Sequence, residues 1–275
     1  MLRTKGIESE LIIVKTRGDN SLDKPFRDAG IGAFVREIDE QMSAGNIDLA
    51  VHSMKDVPTK RPTDSDICAI LPRASPYDVL VYNNAMPSSA VIGTSSLRRH
   101  AQLARYYPSY RCKQIRGNID TRMKKLALGQ YDGLVIAEAG LERLNLLAHR
   151  KRLPLIPSPN QGIIGVIANK ALEEYQIVAT ITHEPTLMAG TAERIIMEAL
   201  GGGCLVPLGI FARISGAWLI IAAEVLSMNG DEAIRLEKRV SVSDYEHESR
   251  VFAQEIQQSG ADTLIAEAIA QSAAF

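Results

Sequence analysis

Short apolar runs rich in Val and Ile recur along the first two thirds of the chain: ELIIVKT (10–16), DLAVHS (48–53), DICAIL (66–71), DVLVY (78–82), AVIGTS (90–95), RCKQIR (111–116), GLVIAEA (133–139) and GIIGVIA (162–168). Between several of them, apolar residues fall at helical spacing, in AFVREIDEQMSAG, LRRHAQLARYY, TRMKKLALGQ and AGLERLNLL. Short strands alternating with such helices predict βαβ units in mostly parallel sheets, an α/β fold. The pattern changes after about residue 204. LGIFARI, AWLIIAAEVL and EAIRLEKRVSV follow one another, with turn signals at Ser215-Gly216 and Asn229-Gly230. This predicts a three-stranded antiparallel meander, entered through the helix AGTAERIIMEAL (189–200) and followed by helices from about 246 onward.

Two Pro-rich stretches, LPRASPYD (71–78) and LPLIPSPNQG (153–162), interrupt the pattern. They read as crossings between two domains, one inserted in the other. The expected organisation is residues 1–72 with 162–182 as domain 1, 76–158 as domain 2 and 184–275 as a C-terminal α/β domain. The chain has 275 residues, 46% hydrophobic and 23% charged, an ordinary globular balance. No apolar run approaches the length of a membrane span, and a net charge of −1 gives no reason to expect nucleic acid or an anionic membrane. Three cysteines without metal-ligand spacing fit a reduced, cytoplasmic protein and no metal site.

Charge changes the picture. Nine cations (Arg98, Arg99, Arg105, Arg111, Lys113, Arg116, Arg122, Lys124 and Lys125) lie in a stretch whose only acid is Asp120. In VIGTSSLRRH (91–100) a strand runs into Thr94, Ser95 and Ser96, natural N-cap residues, and Arg98 and Arg99 follow in the first helical turn. Cations oppose the helix dipole there, so a bound carboxylate or phosphate is expected beside them. IRGNIDTR (115–122) repeats the arrangement with Arg116, Gly117, Asn118 and Arg122, and AEAGLERL (137–144) places Arg143 on the next helix. Ligands of open α/β sheets lie beyond the carboxyl ends of the strands, so three strand ends bearing arginine define a multi-anion site.

Two further stretches carry chemistry. In LGGGCLVPLG (200–209) three glycines precede Cys204, and glycines build no core. Cys204 is therefore a nucleophile or covalent attachment point, whereas Cys68 and Cys112 sit inside apparent strands and read as structural thiols. DLAVHSMKDVP (48–58) drives an apolar strand into Lys55-Asp56 before a proline stops it. Taken alone, this is either a reactive loop or an ordinary polar strand end; His52 reads as a hydrogen-bonded core residue.

Together AVHSMKDVP, GTSSLRR, IRGNIDTR, AEAGLERL, the Pro/Gln-Gly crossing at 157–162, TAER and GGGC followed by VPLG resemble the porphobilinogen deaminase (hydroxymethylbilane synthase) family, in its order and across residues 14–209. The resemblance implies two lobes similar to those of periplasmic binding proteins plus a third domain that carries the cysteine on a loop. It implies a dipyrromethane cofactor, built from the enzyme's own substrate and held through Cys204. On this primer four porphobilinogen molecules are joined head to tail with loss of ammonia, and hydroxymethylbilane is released. Asp56 becomes the catalytic acid, near the pyrrole N–H, where it stabilises positive charge and assists proton transfer. Lys55, Asp56, Thr94, Ser95, Ser96, Arg98, Arg99 and Arg122 become cofactor-binding, and Arg116, Arg122 and Arg143 substrate-binding. Porphobilinogen is the expected partner of a monomer.

The sequence departs from the family in three places. Gly30-Ile31-Gly32 stands where a Gly-Lys-Gly turn is usual, and Asn160 where glycine is usual. The opening MLRTKG reads as the last turn of a helix stopped at Lys5-Gly6, so a first strand and a Thr-Arg-x-Ser signature are expected upstream of Met1. A non-catalytic two-lobed carboxylate-binding protein, or an inactive truncated deaminase, is the alternative reading. A phosphate-sugar enzyme would call for a Walker-type or dinucleotide glycine loop, which the sequence lacks.

Overall fold

A computed structural model describes residues 1–14, 35–59, 61–62, 64–201, 203 and 205–274. Cys204, Gly202 and the Gly30-Ile31-Gly32 turn lie outside the described residues. The chain forms two compact units: Met1–Ala74 with Ile163–Leu187, and Ser75–Gly162 with Met188–Phe275.

In the first unit a turn at Leu2–Lys5 stops at Gly6, whose φ of 77° is the left-handed conformation that glycine adopts freely. Helix α1 (Arg36–Ser43) precedes β1 (Leu49–Ser53), which is followed by β2 (Ser65–Ile70). β8 (Ile164–Asn169) lies between β1 and β2, antiparallel to both. One core gathers Val35, Met42, Ala50, Met54, Val57, Ile70, Ile163 and Ile167, and a second packs Cys68, Val166 and Ala168 against α5 (Tyr175–Ala179).

The second unit holds a five-stranded sheet in the order β5-β4-β6-β3-β7. Its strands are β3 (Asp78–Tyr82), β4 (Val91–Gly93), β5 (Arg111–Lys113), β6 (Gly133–Ala137) and β7 (Arg150–Arg152). β4 is parallel to β5 and β6, and helices α2 (Leu97–Tyr106), α3 (Ile119–Ala127) and α4 (Glu138–Arg143) follow β4, β5 and β6 in turn. Both faces of this sheet are covered, with separate cores around Val79, Ile115 and Leu134 and around Leu80, Ile92 and Val135. The chain enters the rest of this unit within α6 (Glu184–Ala199). It then forms the meander β9 (Leu208–Ser215), β10 (Trp218–Leu226) and β11 (Ala233–Ser241), followed by α7 (Tyr245–Ile256) and α8 (Asp262–Ala274). Alternation along β10 turns Leu219, Ile221, Ala223 and Val225 into a core shared with Ile196 of α6 and with Phe252 and Leu264.

Three expectations need correction. Parallel pairing is confined to β4, β5 and β6; β3 runs antiparallel to β6 and β7, and the first unit's described sheet is wholly antiparallel. The reason is that β3 and β8 adjoin the Pro-rich crossings and are not joined to their sheet neighbours by helices. Residues Glu10–Val14 form no strand, and Leu11 and Ile13 stand largely exposed. β7 escaped the pattern because Arg-Lys-Arg has no apolar alternation; it is an edge strand, where such charges discourage further pairing.

Candidate active site

Lys55 and Asp56 are presented by a single 3₁₀ turn, Met54–Asp56, at the end of β1. Met54 and Val57 are almost fully buried on either side of them, and the Met54 amide donates to the Ile163 carbonyl at 3.0 Å. Gly165 makes room for this anchor: a Cβ there would lie 2.2 Å from Met54 Sδ. With both flanking side chains turned inward, Lys55 and Asp56 are left exposed. Desolvation raises the Asp56 carboxyl above its ordinary value, and the Lys55 charge pulls it back in part. His52 is buried as expected, its basicity lowered chiefly by that burial, but Nε2 has no hydrogen-bond partner among the described residues.

The arginines and hydroxyls converge at the carboxyl ends of β4, β5 and β6. Ser96 caps α2, accepting weakly from the Arg99 amide at 3.4 Å, and buried Thr94 Oγ1 accepts from the Ser96 amide. Ser95 ties two strand ends together: its hydroxyl donates to the Ile115 carbonyl and accepts from the Ile115 amide. Asn118 caps α3 through the Thr121 amide at 3.0 Å, and Gly117, at φ 106°, makes the turn before it. Arg122 donates from Nε to the Gly117 carbonyl at 2.7 Å, and its Nη groups meet no partner among the described residues.

Arg98 and Arg99 point into the protein. Both are buried, and both bond to Asp78, the fully buried first residue of β3. Arg98 Nη2 lies 2.8 Å from Asp78 Oδ2, while its Nη1 donates to Gln102 Oε1 and the Ile156 carbonyl. Arg99 donates from Nε and Nη2 to Asp78 Oδ1, from Nη1 to the Val135 carbonyl and from Nη2 to Gln161. Gln161 Nε2 also reaches Asp78 Oδ1, at 3.0 Å. The counter-charge expected beside two cations in a first helical turn is thus first of all internal, and Arg98 is enclosed by it. The two guanidiniums and the amide hold the Asp78 carboxyl far below the usual carboxylate range despite its burial.

A net positive site remains. One carboxylate faces two guanidiniums, and Arg122 is disfavoured in its charged form first by burial and then by Arg99. Two neighbouring cations that raise each other's energy are what an anion relieves. This donor set fits a polycarboxylate such as a pyrrole chain bearing acetate and propionate groups. Arg116 is half-buried and takes a bond from Lys125 Nζ at its carbonyl; Arg143 is exposed, with Nη2 3.4 Å from the Gly162 carbonyl. Asp56 belongs to the first compact unit and all the arginines to the second. Cys68 is buried and Cys112 half-buried, the latter's thiol pushed up to about 11 by burial, so neither is a ready nucleophile.

Sequence reasoning missed Asp78, Gln102, Gln161 and Glu138. Asp78 had one signal, an acid heading the otherwise apolar run DVLVY. Glu138 is buried at the start of α4 under Ser75, Arg150 and Arg152.

These features define an α/β protein whose second unit gathers arginines at strand ends and whose first unit presents a carboxylate, Asp56, on an anchored turn. Residues 1–176 match the family model described as porphobilinogen deaminase, dipyromethane cofactor binding domain, and residues 187–258 match the porphobilinogen deaminase C-terminal domain. The chain is 40% identical over 282 residues to a probable porphobilinogen deaminase of Methanococcoides burtonii, covering 98% of this chain and 91% of that one. It is 38% identical over 276 residues to the porphobilinogen deaminase of Sulfurimonas denitrificans, covering 96% and 88%. The chain belongs to the porphobilinogen deaminase family. Among solved structures, the BvgS periplasmic VFT2 domain of Bordetella pertussis aligns with 54% of this chain and 65% of its own at 16% identity and a TM-score of 0.33, too slight a likeness to carry weight.

Proposed function

We propose that this chain is a working hydroxymethylbilane synthase, condensing four porphobilinogen molecules head to tail with release of ammonia, and that Asp56, Cys204 and the strand-end arginines carry the reaction. The observation that supports it most is geometric: Arg98, Arg99 and Arg122 gather beside capped strand ends, where, among the described residues, the one carboxylate bonded to arginine, Asp78, is shared by Arg98 and Arg99, and Arg122 bonds only to a carbonyl. The dipyrromethane cofactor, bound through Cys204, would supply the free pyrrole carbon to which the first unit is joined, and each later unit would join the ring added before it. Arg99 and Arg122, with Thr94, Ser95, Ser96 and Lys55, hold its carboxylates; Arg98 contributes through Asp78. Arg116 and Arg143, which are more open to solvent, receive the carboxylates of incoming substrate, with Arg122 serving both.

Asp56 works at the pyrrole nitrogen. Its raised carboxyl lets it exchange a proton closer to neutrality than a free carboxylate, while its anionic form stabilises positive charge on the ring. Buried Met54 and Val57 fix the turn that carries it, so little reorganisation is needed at the moment of charge development.

We further propose a three-domain organisation of 1–72 with 162–182, 76–158 and 184–275, acting as a cytoplasmic monomer. Unpaired Cys68 and Cys112 support a reducing compartment. Incubating purified protein with porphobilinogen and following ammonia and hydroxymethylbilane tests the function: a four-to-one ratio supports it. Substrate binding without either product would favour a carboxylate-binding protein.

A further inference from the structure

Strand β10 reads LIIAAEVL (219–226), and within this apolar run Glu224 is completely buried. Ala223 and Val225 face the C-terminal core, so alternation turns Glu224 to the opposite face. There it meets α2. Glu224 Oε2 accepts from Gln102 Nε2 at 2.7 Å, and Oε1 accepts from the Tyr106 hydroxyl. Arg235, its cross-strand neighbour on β11, supplies a compensating charge. Gln102 Oε1 in turn accepts from Arg98 Nη1 at 2.8 Å, and Arg98 grips Asp78, which grips Arg99. One hydrogen-bonded chain therefore runs from β10 to the arginine pair.

Two other features belong to the same contact. Arg105, in the last turn of α2, donates from Nη1 to the Gly230 and Asp231 carbonyls at 3.2 and 2.9 Å. Gly230, at φ 80°, lets the helix come close: a Cβ there would lie 2.3 Å from the Ala101 carbonyl oxygen. On its other side, β10 secures the residues that follow Cys204 in sequence. Glu224 pairs with Gly209, Val225 with Leu208, and the Leu226 amide donates to the Pro207 carbonyl at 3.0 Å.

Burying a carboxylate in an apolar strand is costly, and apolar packing would hold α2 on the sheet more cheaply. Directional bonds instead fix register. We propose that Glu224 is a positioning residue for cofactor capture, locking α2, with Arg99 upon it, against the strand that anchors the segment after Cys204. The strand that follows Cys204 in sequence and the helix that carries Arg99 are then tied together through one buried side chain. The inference rests on the deaminase reading above.

Glu224→Gln keeps the shape but sets an amide against the Gln102 amide. The test is to produce wild type, Glu224→Gln, Tyr106→Phe and the swap Glu224→Gln/Gln102→Glu with porphobilinogen supplied, to confirm folding by circular dichroism, and to read the adduct-bearing fraction by intact mass. Expected for Glu224→Gln are a several-fold lower loaded fraction and, in the loaded protein, a several-fold higher KM with kcat less affected. Tyr106→Phe, which removes one of the two bonds, should fall between, and the swap, which returns a carboxylate to the Gln102–Glu224 pair, should recover much of both. Should Glu224→Gln fail to fold, Tyr106→Phe carries the same test. Folded variants with wild-type loading and KM would overturn the inference alone. Wild-type protein with no adduct would overturn the deaminase reading and the inference with it.

Discussion

Arg99 grips Asp78 twice, from Nε at 3.1 Å and from Nη2 at 2.7 Å, both bonds falling on Oδ1. Oδ2 is left to Arg98. The pair is buried, so it sets the orientation of Arg99 before any ligand arrives.

Asp78→Asn should therefore cost about 3–5 kcal/mol at neutral pH, since it leaves two buried guanidiniums without their anion. The sign with pH follows from the direction of the shift. Asp78 is held below its unfolded value, so its contribution is complete above about pH 4 and is lost as acid approaches the folded value. Urea titrations of wild type and Asp78→Asn should show a gap that is constant from pH 5 to 8 and narrows below about pH 4. A gap unchanged at low pH would contradict the assignment.

Asp56→Asn should lower turnover by roughly 10²-fold or more, with adduct formation much less affected. Asp56 is exposed, so the variant should be about as stable as wild type. The acidic limb of kcat/KM should lie above the ordinary carboxylate value of about 4. Lys55→Met should move that limb further up, because Lys55 lowers the Asp56 carboxyl. A limb that stays in place in Lys55→Met would separate Asp56 from the profile.

Arg143→Leu and Arg116→Leu should raise KM for porphobilinogen and leave the melting temperature nearly unchanged, since neither side chain is fully buried. Arg122→Leu should instead reduce cofactor loading, read as the apoprotein peak in intact mass. Normal loading in Arg122→Leu would break that division of labour. Arg98→Leu is a poorer probe of binding, as it also strips a partner from Asp78.

Gly165→Ala pushes a methyl against Met54, the residue that anchors the Lys55-Asp56 turn. The expected cost is about 1–3 kcal/mol from overpacking. Activity measured well below the melting temperature should fall further than that loss of stability accounts for. A variant that is destabilised but fully active would show the turn to be insensitive to its anchor.

What could be read from the sequence was set by locality. Helix caps, strand ends and the meander turns are written in adjacent residues, and Ser96, Asn118 and Gly216 all lie where their chemistry predicts. The parallel β5-β4-β6 arrangement, which places three arginine-bearing turns along one sheet edge, follows from the same helix-strand alternation. Burial of Arg98 and Arg99 was not legible, because their partner lies about twenty residues upstream across a sheet. Local sequence gives the helix dipole's objection to two cations, but not whether a ligand or the fold answers it. Glu224 was hidden for the same reason: its partners on α2 are 118 and 122 positions away.

Intact mass spectrometry of wild type, Cys204→Ser, Cys68→Ser and Cys112→Ser, each produced with porphobilinogen supplied, addresses the central claim most directly. The account predicts a covalent two-pyrrole adduct on wild type and on both Cys68→Ser and Cys112→Ser, and none on Cys204→Ser, which should not turn over. An adduct retained by Cys204→Ser, or full turnover without one, would contradict it.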